Sequence, residues 1–415
     1  MFCLKSRVSL CAFVIMFLVA SYSLIFGGDK QVKEVTGLFY LDGKPVTITI
    51  IDGKIENISR KAVKLNESPL YIAPGFIDNQ INGYVEVGFS SAGLTVQGIK
   101  KATQVLWQAG VTTYLPTVIT SSHERLMENF TILAKALNDP EIAGSVPGFH
   151  MEGPYISPVD GFRGAHNKEW IRAPDWDEFQ KINQAANYKI LQVTVAPEME
   201  GAMDFIRNCV KTSIIVALGH HNGSAEIIKQ AIDEGACIAT HLGNGCANMI
   251  HRHTNPLWPQ LADDRLMASI ICDGFHLTPE EVQVFYKIKG PDRIILTSDV
   301  TKLAGMPPGE YSYDGRDVVL TPDGCIKYPA QNVLAGAASP ISKGVGNIMK
   351  FTQCSLVDAI NMATRNPAKL YGFNDRGEIK PGKRADLILF TVDENVLSVK
   401  KTIIAGQVVY AADEQ

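Results

Sequence analysis

The chain alternates short apolar runs with helix-length amphipathic segments, and this alternation limits its fold more than any other feature of the sequence. Runs of this kind, separated by amphipathic segments, are typical of parallel strands joined by crossover helices. About eight such units predict an α/β fold of the (β/α)8, TIM-like barrel type. The predicted strands end at residues 77–78, 114–115, 149–152, 194–196, 217–220, 239–241, 271–273 and 296–299.

The two ends of the chain have a different pattern. Residues 29–72 and 380–415 consist of short β-rich runs and turn signals, such as the run 46–51 followed by Asp52 and Gly53. We expect both ends to build one small β-sandwich domain and residues 73–379 to form the barrel. A long insertion follows Asp299, and its turn signals at residues 314–315 and 323–324 predict a hairpin or a lid.

Residues 1–28 form a leader with a composition of its own. Lys5 and Arg7 precede an apolar stretch over residues 8–26, and small residues occur near its end. This order is typical of a signal peptide, and the stretch is also long enough for an N-terminal membrane anchor. Both interpretations predict an exported (periplasmic or extracellular) or membrane-anchored protein. The alternative, a start site assigned too far upstream, predicts a cytoplasmic one.

Charge and cysteine content exclude several classes of protein. The chain has 39 basic and 43 acidic residues, a formal net charge of −4, and therefore no basic field able to hold a nucleic-acid backbone. Its eight cysteines include no CxxC pair, so neither a zinc ribbon nor a redox motif is predicted. An enzyme acting on a small molecule is the class that these observations favour.

Three predicted strand ends carry residue types that bind catalytic metals. Glu152, His220 and His241 lie at the ends of separate strands, and the active site of a barrel is built at the C-terminal ends of its strands. Two histidines and a glutamate, with one position left open for water, form an established zinc site. One such residue alone is more often structural, but three matched strand ends favour a metal centre.

Asp299 lies at the end of the last predicted strand. A carboxylate there can act as the acid and base of a hydrolysis, because a proton must move from water to the leaving group. The alternative is a helix N-cap, for which aspartate is a favoured residue. The position of Asp299 alone does not decide between the two.

A series of short motifs adds more specific information. Among them are His150-Met-Glu-Gly-Pro154, Gln80-Ile-Asn82 and Thr240-His-Leu-Gly-Asn244. The others occupy residues 73–78, 164–166, 219–220, 273–276, 297–299, 334–336, 363–367 and 385–386. In this order and spacing, from about Gly53 to the C-terminus, the sequence resembles the N-acetylglucosamine-6-phosphate deacetylases of the amidohydrolase superfamily.

The resemblance implies a metal-dependent deacetylase that forms a homodimer. Most amidohydrolases have His-x-His at the end of the first strand, whereas this chain has Gln80 and Asn82 there. That substitution implies one divalent ion per chain, with zinc the expected metal, held by Glu152, His220 and His241. His221 is expected to be a supporting or structural residue rather than a ligand.

The resemblance also implies how a substrate would be held. His166 would contact the sugar or the reacting amide, and Arg252 with His276 would bind a 6-phosphate, for which the planar donor fork of arginine is well suited. The alternative for Arg252 is a solvated loop charge. Residues 334–336 would close over the sugar from a loop after the last strand. The substrate-binding residues implied in this way are Ala165, His166, Asn244, Gly245, Arg252, Asp273, His276, Leu334, Ala335 and Gly336.

The leading functional hypothesis is hydrolysis of the acetamide of N-acetylglucosamine 6-phosphate to glucosamine 6-phosphate and acetate, with Asp299 and His166 as catalytic residues. One alternative is an exported amidohydrolase acting on an unphosphorylated N-acetyl amino sugar or an N-acyl amino acid, because sugar phosphates are mainly cytoplasmic metabolites. Another is an inactive sugar-binding barrel, which the intact set of metal-ligand and acid–base residue types disfavours.

Overall fold

The computed structural model describes residues 32–61, 65, 68–313, 316–329 and 333–412. The signal peptide or anchor predicted at residues 1–28 and the turn predicted at residues 314–315 lie outside this range. Within it, no helix combines the length and the apolar character needed to cross a membrane.

The described part of the chain begins with four short strands. Side chains alternate between buried and more exposed along the strand Pro45–Ile51, where Val46, Ile48 and Ile50 point into the core, as a strand with one covered face requires. A tight turn at Asp52 and Gly53, both with positive φ (49° and 73°), leads into the next strand, as predicted. These strands are β1 (Glu34–Phe39), β2 (Pro45–Ile51), β3 (Lys54–Ser59) and β4 (Tyr71–Pro74).

Eight parallel strands form a barrel that a parallel bridge between Ile81 and Val300 brings close to closure. All eight predicted strands are confirmed, but the first two extend to Ile81 and Ile119, further than expected. They are buried on both faces, so no alternation marks their ends. In chain order the strands here are β5 (Phe76–Ile81), the short pair β6 (Gly83–Tyr84) and β7 (Val87–Gly88), β8 (Val111–Ile119), β9 (Phe149–Glu152), β10 (Ile190–Val195), β11 (Ile215–Leu218), β12 (Ile238–Ala239), β13 (Met267–Ile271) and β14 (Ile294–Thr297).

Asp78 stabilises the seam between the first and last barrel strands. Its buried Oδ1 accepts hydrogen bonds from the Thr297 hydroxyl at 2.9 Å and from the Ser298 backbone N–H at 3.2 Å. Burial raises the pKa of Asp78 to about 6, although the bonds from Ser298 and Thr297 oppose the rise. Asp78 is therefore a buried polar residue that helps to hold the first and last strands of the barrel together.

The helices between the strands begin at residues that satisfy their first N–H groups. Ser122, Asp175 and Ser224 each accept a hydrogen bond from a backbone N–H in the first helical turn, and Thr278 forms a capping box with Glu281. The helices are α1 (Val96–Leu106), α2 (His123–Ala136), α3 (Pro140–Ser145), α4 (Trp176–Ala185), α5 (Ala202–Lys211), α6 (Ala225–Asp233), α7 (Leu257–Ala262), α8 (Pro279–Lys289), α9 (Ile341–Thr352), α10 (Leu356–Met362) and α11 (Arg365–Leu370), with 3-10 turns at Trp107–Ala109 and Lys168–Trp170.

The insertion after Asp299 folds into a four-stranded antiparallel sheet, which confirms the predicted hairpin. Residues 334–336, expected in a loop, lie instead in its last strand, because the segment pairs with the strand before it. A parallel bridge from Ala337 to Val300 places this strand beside the end of β14. The strands are β15 (Gly309–Tyr313), β16 (Arg316–Leu320), β17 (Cys325–Tyr328) and β18 (Val333–Ala337).

Three C-terminal strands complete a sheet that contains both ends of the described chain. They are β19 (Leu387–Asp393), β20 (Val396–Ile404) and β21 (Gln407–Ala411). The seven strands run in the order β21-β20-β19-β4-β1-β2-β3, with β4 paired to both β1 and β19. The expected β-domain from both chain ends is confirmed. We keep residues 29–72, 73–379 and 380–415 as proposed domain boundaries.

The sheet and the barrel share one apolar core. Gly110 is in close contact with both units, since a Cβ there would lie 3.1 Å from the Phe76 ring and 3.2 Å from Ile388. The Thr402 hydroxyl of β20 donates to the Trp107 carbonyl at 2.6 Å. Burial of Ile388 and Phe76 at this junction therefore couples the stability of the β-domain to that of the barrel.

Replacing Ile388 with Ala should lower the free energy of unfolding by about 2–5 kcal/mol, because it leaves a cavity at the junction. Val396→Ala in the neighbouring strand is the control: this side chain is 63% exposed, and the change should cost no more than about 0.5 kcal/mol. Urea denaturation followed by circular dichroism measures both. Equal effects of the two substitutions would contradict a shared core.

Candidate active site

Three ligand-type atoms converge at the C-terminal ends of β9, β11 and β12. Glu152 Oε1 lies 3.0 Å from His241 Nε2 and 3.5 Å from His220 Nε2, and the two imidazole nitrogens are 3.1 Å apart. All three side chains are buried, with at most 6% of each residue exposed. The three residues predicted as metal ligands are therefore brought together, as the barrel topology requires.

The orientation of His220 suits metal binding. Its Nδ1–H donates to the Phe162 carbonyl at 3.0 Å, which leaves the lone pair of Nε2 directed at Glu152 and His241. Ligating histidines are commonly fixed by such a second hydrogen bond, which selects the tautomer and the ring orientation. The donor set of one carboxylate and two imidazoles fits a zinc-type ion.

Two glycines allow the loops to close over His220. A Cβ at Gly245 would lie 2.8 Å from His220 Nδ1, and a Cβ at Gly164 would lie 3.0 Å from Cε1 of the same ring. Both glycines also have positive φ, 59° and 56°, which side chains seldom tolerate. The imidazole is thus held between the loop that follows β9 and the loop that follows β12.

The backbone at the site adopts an unusual conformation at three functional positions. His220, His241 and Asp299 have φ of 51°, 29° and 51°, in the left-handed region that costs non-glycine residues about 1–3 kcal/mol each. Each of the three residues lies two positions after the last residue of a barrel strand. The turn out of each strand brings the side chains into one place.

Glu152 is an ionised carboxylate in a buried position. Burial raises the pKa of its carboxyl, but the neighbouring imidazoles of His220 and His241 outweigh that effect and hold the pKa well below its ordinary value. For His241 the same two effects have opposite signs. Burial lowers the pKa of the imidazole, but the hydrogen bond to Glu152 outweighs burial and raises the pKa above its ordinary value. The site therefore has a net preference for positive charge next to Glu152.

Gln80 and Asn82, at the position of the usual His-x-His pair, act as hydrogen-bond donors. Gln80 Nε2 donates to Glu152 Oε1 at 2.8 Å, and Asn82 Nδ2 donates to Asp299 Oδ1 at 2.6 Å. Both amide groups thus direct N–H rather than oxygen at the carboxylates. This arrangement supports a single metal position, and the contact from Asn82 to Asp299 was not foreseen from the sequence.

Asp299 lies next to the ligand group with a shifted pKa. Burial and the negative charge of Glu152 raise the pKa of Asp299 to about 7, although the bond from Asn82 opposes the rise. A general base works best with a pKa near the operating pH. The position and the pKa of Asp299 both suit the predicted acid–base role.

His166 is buried against the ligand group. Its ring centroid lies 4.3 Å from that of His220, and its Nδ1 lies 2.7 Å from the Thr120 hydroxyl. Burial and the nearby His220 lower the pKa of His166 to about 3, so the ring is neutral. The Thr120 hydroxyl can donate to Nδ1, and a neutral ring that accepts this bond carries its proton on Nε2. Thr120 was missed because a threonine after a strand carries no distinctive sequence signal.

The predicted substrate-binding residues lie around this centre in different environments. Nδ2 of Asn244 is buried and has no hydrogen-bond partner among the described residues. Nδ1 of His276 donates to the Asp273 carboxylate at 2.8 Å, so Nε2 is the ring nitrogen that this bond leaves available. Ala165 and Arg252 are exposed, and no contact joins the Arg252 side chain to His276 in the described part of the chain. Leu334, Ala335 and Gly336 lie in β18, and Gly336 contacts Thr301 just beyond Asp299.

His221 is oriented away from the ligand atoms. Its Nδ1 accepts from the Gly223 backbone N–H at 3.3 Å, and a hydrogen bond with Gln260 opposes the lowering of its pKa to about 4 by burial. Its ring is therefore engaged with the loop that follows β11 and with α7. These contacts agree with the expected structural role.

Comparisons with known proteins place this chain in a family. Residues 71–409 match the amidohydrolase family. The chain belongs to the amidohydrolase family. Within it, the chain is 31% identical over 378 residues to the N-acetylglucosamine-6-phosphate deacetylase of Bacillus subtilis (strain 168), covering 88% of this chain and 93% of that relative.

Two solved structures of N-acetylglucosamine-6-phosphate deacetylases have the same fold. The N-acetylglucosamine-6-phosphate deacetylase of Thermotoga maritima superposes with a TM-score of 0.78 at 29% identity, covering 91% of this chain and 99% of that structure. A mutant of the Mycobacterium smegmatis deacetylase, solved in complex with N-acetyl-D-glucosamine 6-phosphate, gives 0.79 at 26% identity, with coverage of 88% and 94%. This amidohydrolase is therefore a metal-dependent hydrolase of the same architecture.

His241→Ala should abolish tight metal binding while the barrel stays folded, because it removes one of three ligand atoms. His221→Gln is the matched control, since that histidine is a chain neighbour of a ligand but is engaged elsewhere, and it should keep the metal. Elemental analysis of the purified proteins measures the content. Two tightly held ions per unmodified chain would contradict a single site.

Proposed function

We propose that the protein hydrolyses the acetamide of N-acetylglucosamine 6-phosphate to glucosamine 6-phosphate and acetate. The observation that carries the proposal is the buried group of Glu152, His220 and His241 beside the Asp299 carboxylate. The named activity of the relatives, and the sugar phosphate bound to one of them, support the choice of substrate.

Glu152, His220 and His241 would hold one divalent cation, for which zinc is our proposal because two imidazoles and a carboxylate are an established zinc set. When bound, such an ion polarises the amide carbonyl and lowers the pKa of water. Gln80 keeps Glu152 in place by its bond to Oε1. The Phe162 carbonyl keeps His220 in place by accepting a hydrogen bond from its Nδ1.

Asp299 would move the proton that the reaction requires. Its carboxylate accepts a proton from the attacking water, and the same proton is then delivered to the nitrogen of the leaving amine as the C–N bond breaks. Asn82 holds Oδ1 of Asp299, so Oδ2 is the oxygen left for this transfer. A pKa of about 7 suits both the acceptance and the release of the proton.

His166 would stabilise the negative charge that develops on the amide oxygen. In this role the Thr120 hydroxyl donates to Nδ1 of the neutral ring, so that the Nε2–H is the donor for this charge. A donor fixed in advance in a water-poor site stabilises such an oxyanion far better than water does. Thr120 is thus the residue that sets the direction of the His166 proton.

Recognition of the sugar would come from the loops around the site. We assign the 6-phosphate to Arg252 and His276, with Asp273 orienting His276 through Nδ1. The unpaired Nδ2 of Asn244 is suited to a sugar hydroxyl or to the phosphate, and the Gly245 backbone lies beside it. Ala165 and residues 334–336 would form the remaining walls of the sugar pocket.

We also keep two proposals about the cellular form of the enzyme. The basic and then apolar order of residues 1–28 supports a signal peptide or a membrane anchor, and hence an exported or tethered enzyme. The likeness to N-acetylglucosamine-6-phosphate deacetylases supports a homodimer.

Asp299→Asn should keep the metal and lose turnover, because the amide retains the size of the side chain but cannot accept the proton. A loss in kcat of about 10²- to 10⁴-fold is expected for one positioned acid–base group. Asp264→Asn is the control, since that carboxylate is 73% exposed and pairs with Arg293 at a distance from the site. A loss much below this range, with metal retained, would assign the proton transfer to another residue.

Arg252→Ala should raise KM for the phosphorylated sugar by about 10- to 100-fold, since a charge-assisted hydrogen bond contributes about 1.5–3 kcal/mol. Free N-acetylglucosamine, a poor substrate on this proposal, should be unaffected. Arg265→Ala is the control, because Arg265 lies between α7 and β13 at the other end of the barrel. Equal kcat/KM of the unmodified enzyme for the two sugars would refute the requirement for a phosphate.

A further inference from the structure

A chain of buried hydrogen bonds crosses the barrel interior directly below the ligand atoms. His150 Nε2 lies 2.8 Å from the Thr194 hydroxyl, which lies 2.8 Å from the Thr240 hydroxyl. His150 and Thr194 are fully buried and Thr240 is 4% exposed. None of the three side chains belongs to the ligand set or to the predicted substrate contacts, so their role in the site is unassigned.

Each member of this chain is close in sequence to a ligand. His150 precedes Glu152 by two residues on β9 and so faces the same side of the strand. Thr240 directly precedes His241. Thr194 on β10 is the register partner of Glu152 in the parallel ladder. These hydrogen bonds therefore link the strand that carries Glu152 to the segment that carries His241.

The third ligand is in contact with the same layer. Gly219 directly precedes His220, and a Cβ at Gly219 would lie 2.6 Å from Thr240 Cβ and 2.9 Å from Thr194 Cγ2. The two threonines therefore pack against the backbone that leads into His220. Each of the three strands that lead to a metal ligand is therefore in contact with the His150–Thr194–Thr240 chain of hydrogen bonds.

One direction of donation satisfies every group in the chain. The Thr240 hydroxyl donates to Thr194, and the Thr194 hydroxyl donates to His150 Nε2. The Nδ1–H of His150 then donates to the Thr117 hydroxyl at 3.3 Å, which in turn donates to the Leu115 carbonyl at 3.2 Å. A fully satisfied buried network has one preferred geometry.

The strand that leads to His241 is short, because β12 contains only Ile238 and Ala239. Backbone bonds of 2.8 Å from the Thr240 N–H to the Leu218 carbonyl and from the Leu242 N–H to the Ser269 carbonyl hold the turn on either side of His241. The hydrogen bond of the Thr240 hydroxyl adds a side-chain contact to this backbone support. His220 and His241 both have left-handed backbone, which needs surrounding contacts to persist. Directional bonds from a neighbouring strand meet that need better than apolar packing, which tolerates small rotations and shifts.

We propose that the His150–Thr194–Thr240 chain positions the metal ligands, with Thr194 as the central positioning residue. These hydrogen bonds fix the positions of the ends of β9 and β12 relative to each other, so that Glu152 and His241 converge on one point before an ion binds. This inference rests on the proposed function, because it takes Glu152, His220 and His241 as the ligands.

The test is the metal affinity of Thr194→Val, which replaces the hydroxyl with a methyl group of the same shape. Zinc is titrated into the full-length, metal-free protein in competition with a chromophoric chelator. The variant should bind zinc about 10-fold more weakly, the lower end for residues that support metal ligands. Thr194→Ser, which keeps the hydroxyl, should restore the affinity of the unmodified protein.

Thr103→Val is the matched control for a general loss of stability. Thr103 is a buried threonine of α1 whose hydroxyl lies 2.7 Å from the Tyr114 hydroxyl, outside the ligand layer. It should lower the unfolding midpoint in urea without changing zinc affinity. An unchanged affinity in Thr194→Val, or an equal loss in Thr103→Val, would overturn the proposal. If Thr194→Val does not fold, Thr240→Val takes its place under the same criteria.

Failure of the proposed function would give a different result. An unmodified protein that binds zinc but does not deacetylate the sugar phosphate would refute the function and leave the affinity comparison valid. An active enzyme whose zinc affinity is the same with Thr194 or Val at this position would refute only the positioning role.

Discussion

The structure of the site depends on one buried carboxylate. A charge such as that of Glu152 is costly to remove from water unless partners compensate it. Here Gln80 donates an N–H to it, and two imidazoles that lie within 3.5 Å hold its pKa low against the effect of burial. The carboxylate in turn fixes where His220 and His241 must place their nitrogens. A cation between these atoms is the partner that this arrangement accommodates best.

The barrel supplies the convergence that the carboxylate requires. Its parallel strands all end at one face, so residues distant in sequence meet without a long loop having to fold first. The left-handed turns after β11, β12 and β14 then direct three side chains to the same place. The seven-stranded sheet packs against the barrel core at Ile388 and contributes no ligand. The barrel therefore supplies the ligands, while the sheet adds to the apolar core that the two share.

The residues at the strand ends could be predicted from the sequence, whereas the contacts between their side chains could not. Glu152, His220, His241 and Asp299 could be found because each ends an apolar run, and the topology of a barrel brings such ends together. The roles of Thr120 and Asn82 could not, because they depend on side-chain orientations across 46 and 217 residues of chain. The ends of β5 and β8 were placed too early for another reason: strands buried on both faces show no alternation at their ends.

The central claim is that one divalent ion binds among Glu152, His220 and His241 in this amidohydrolase. Anomalous X-ray diffraction from crystals of the zinc-loaded protein, recorded on both sides of the zinc absorption edge, tests it most directly. The account predicts a single strong anomalous peak per chain, within coordination distance of these three side chains. A second peak of similar height beside Gln80 and Asn82, or a main peak away from Glu152, would contradict it.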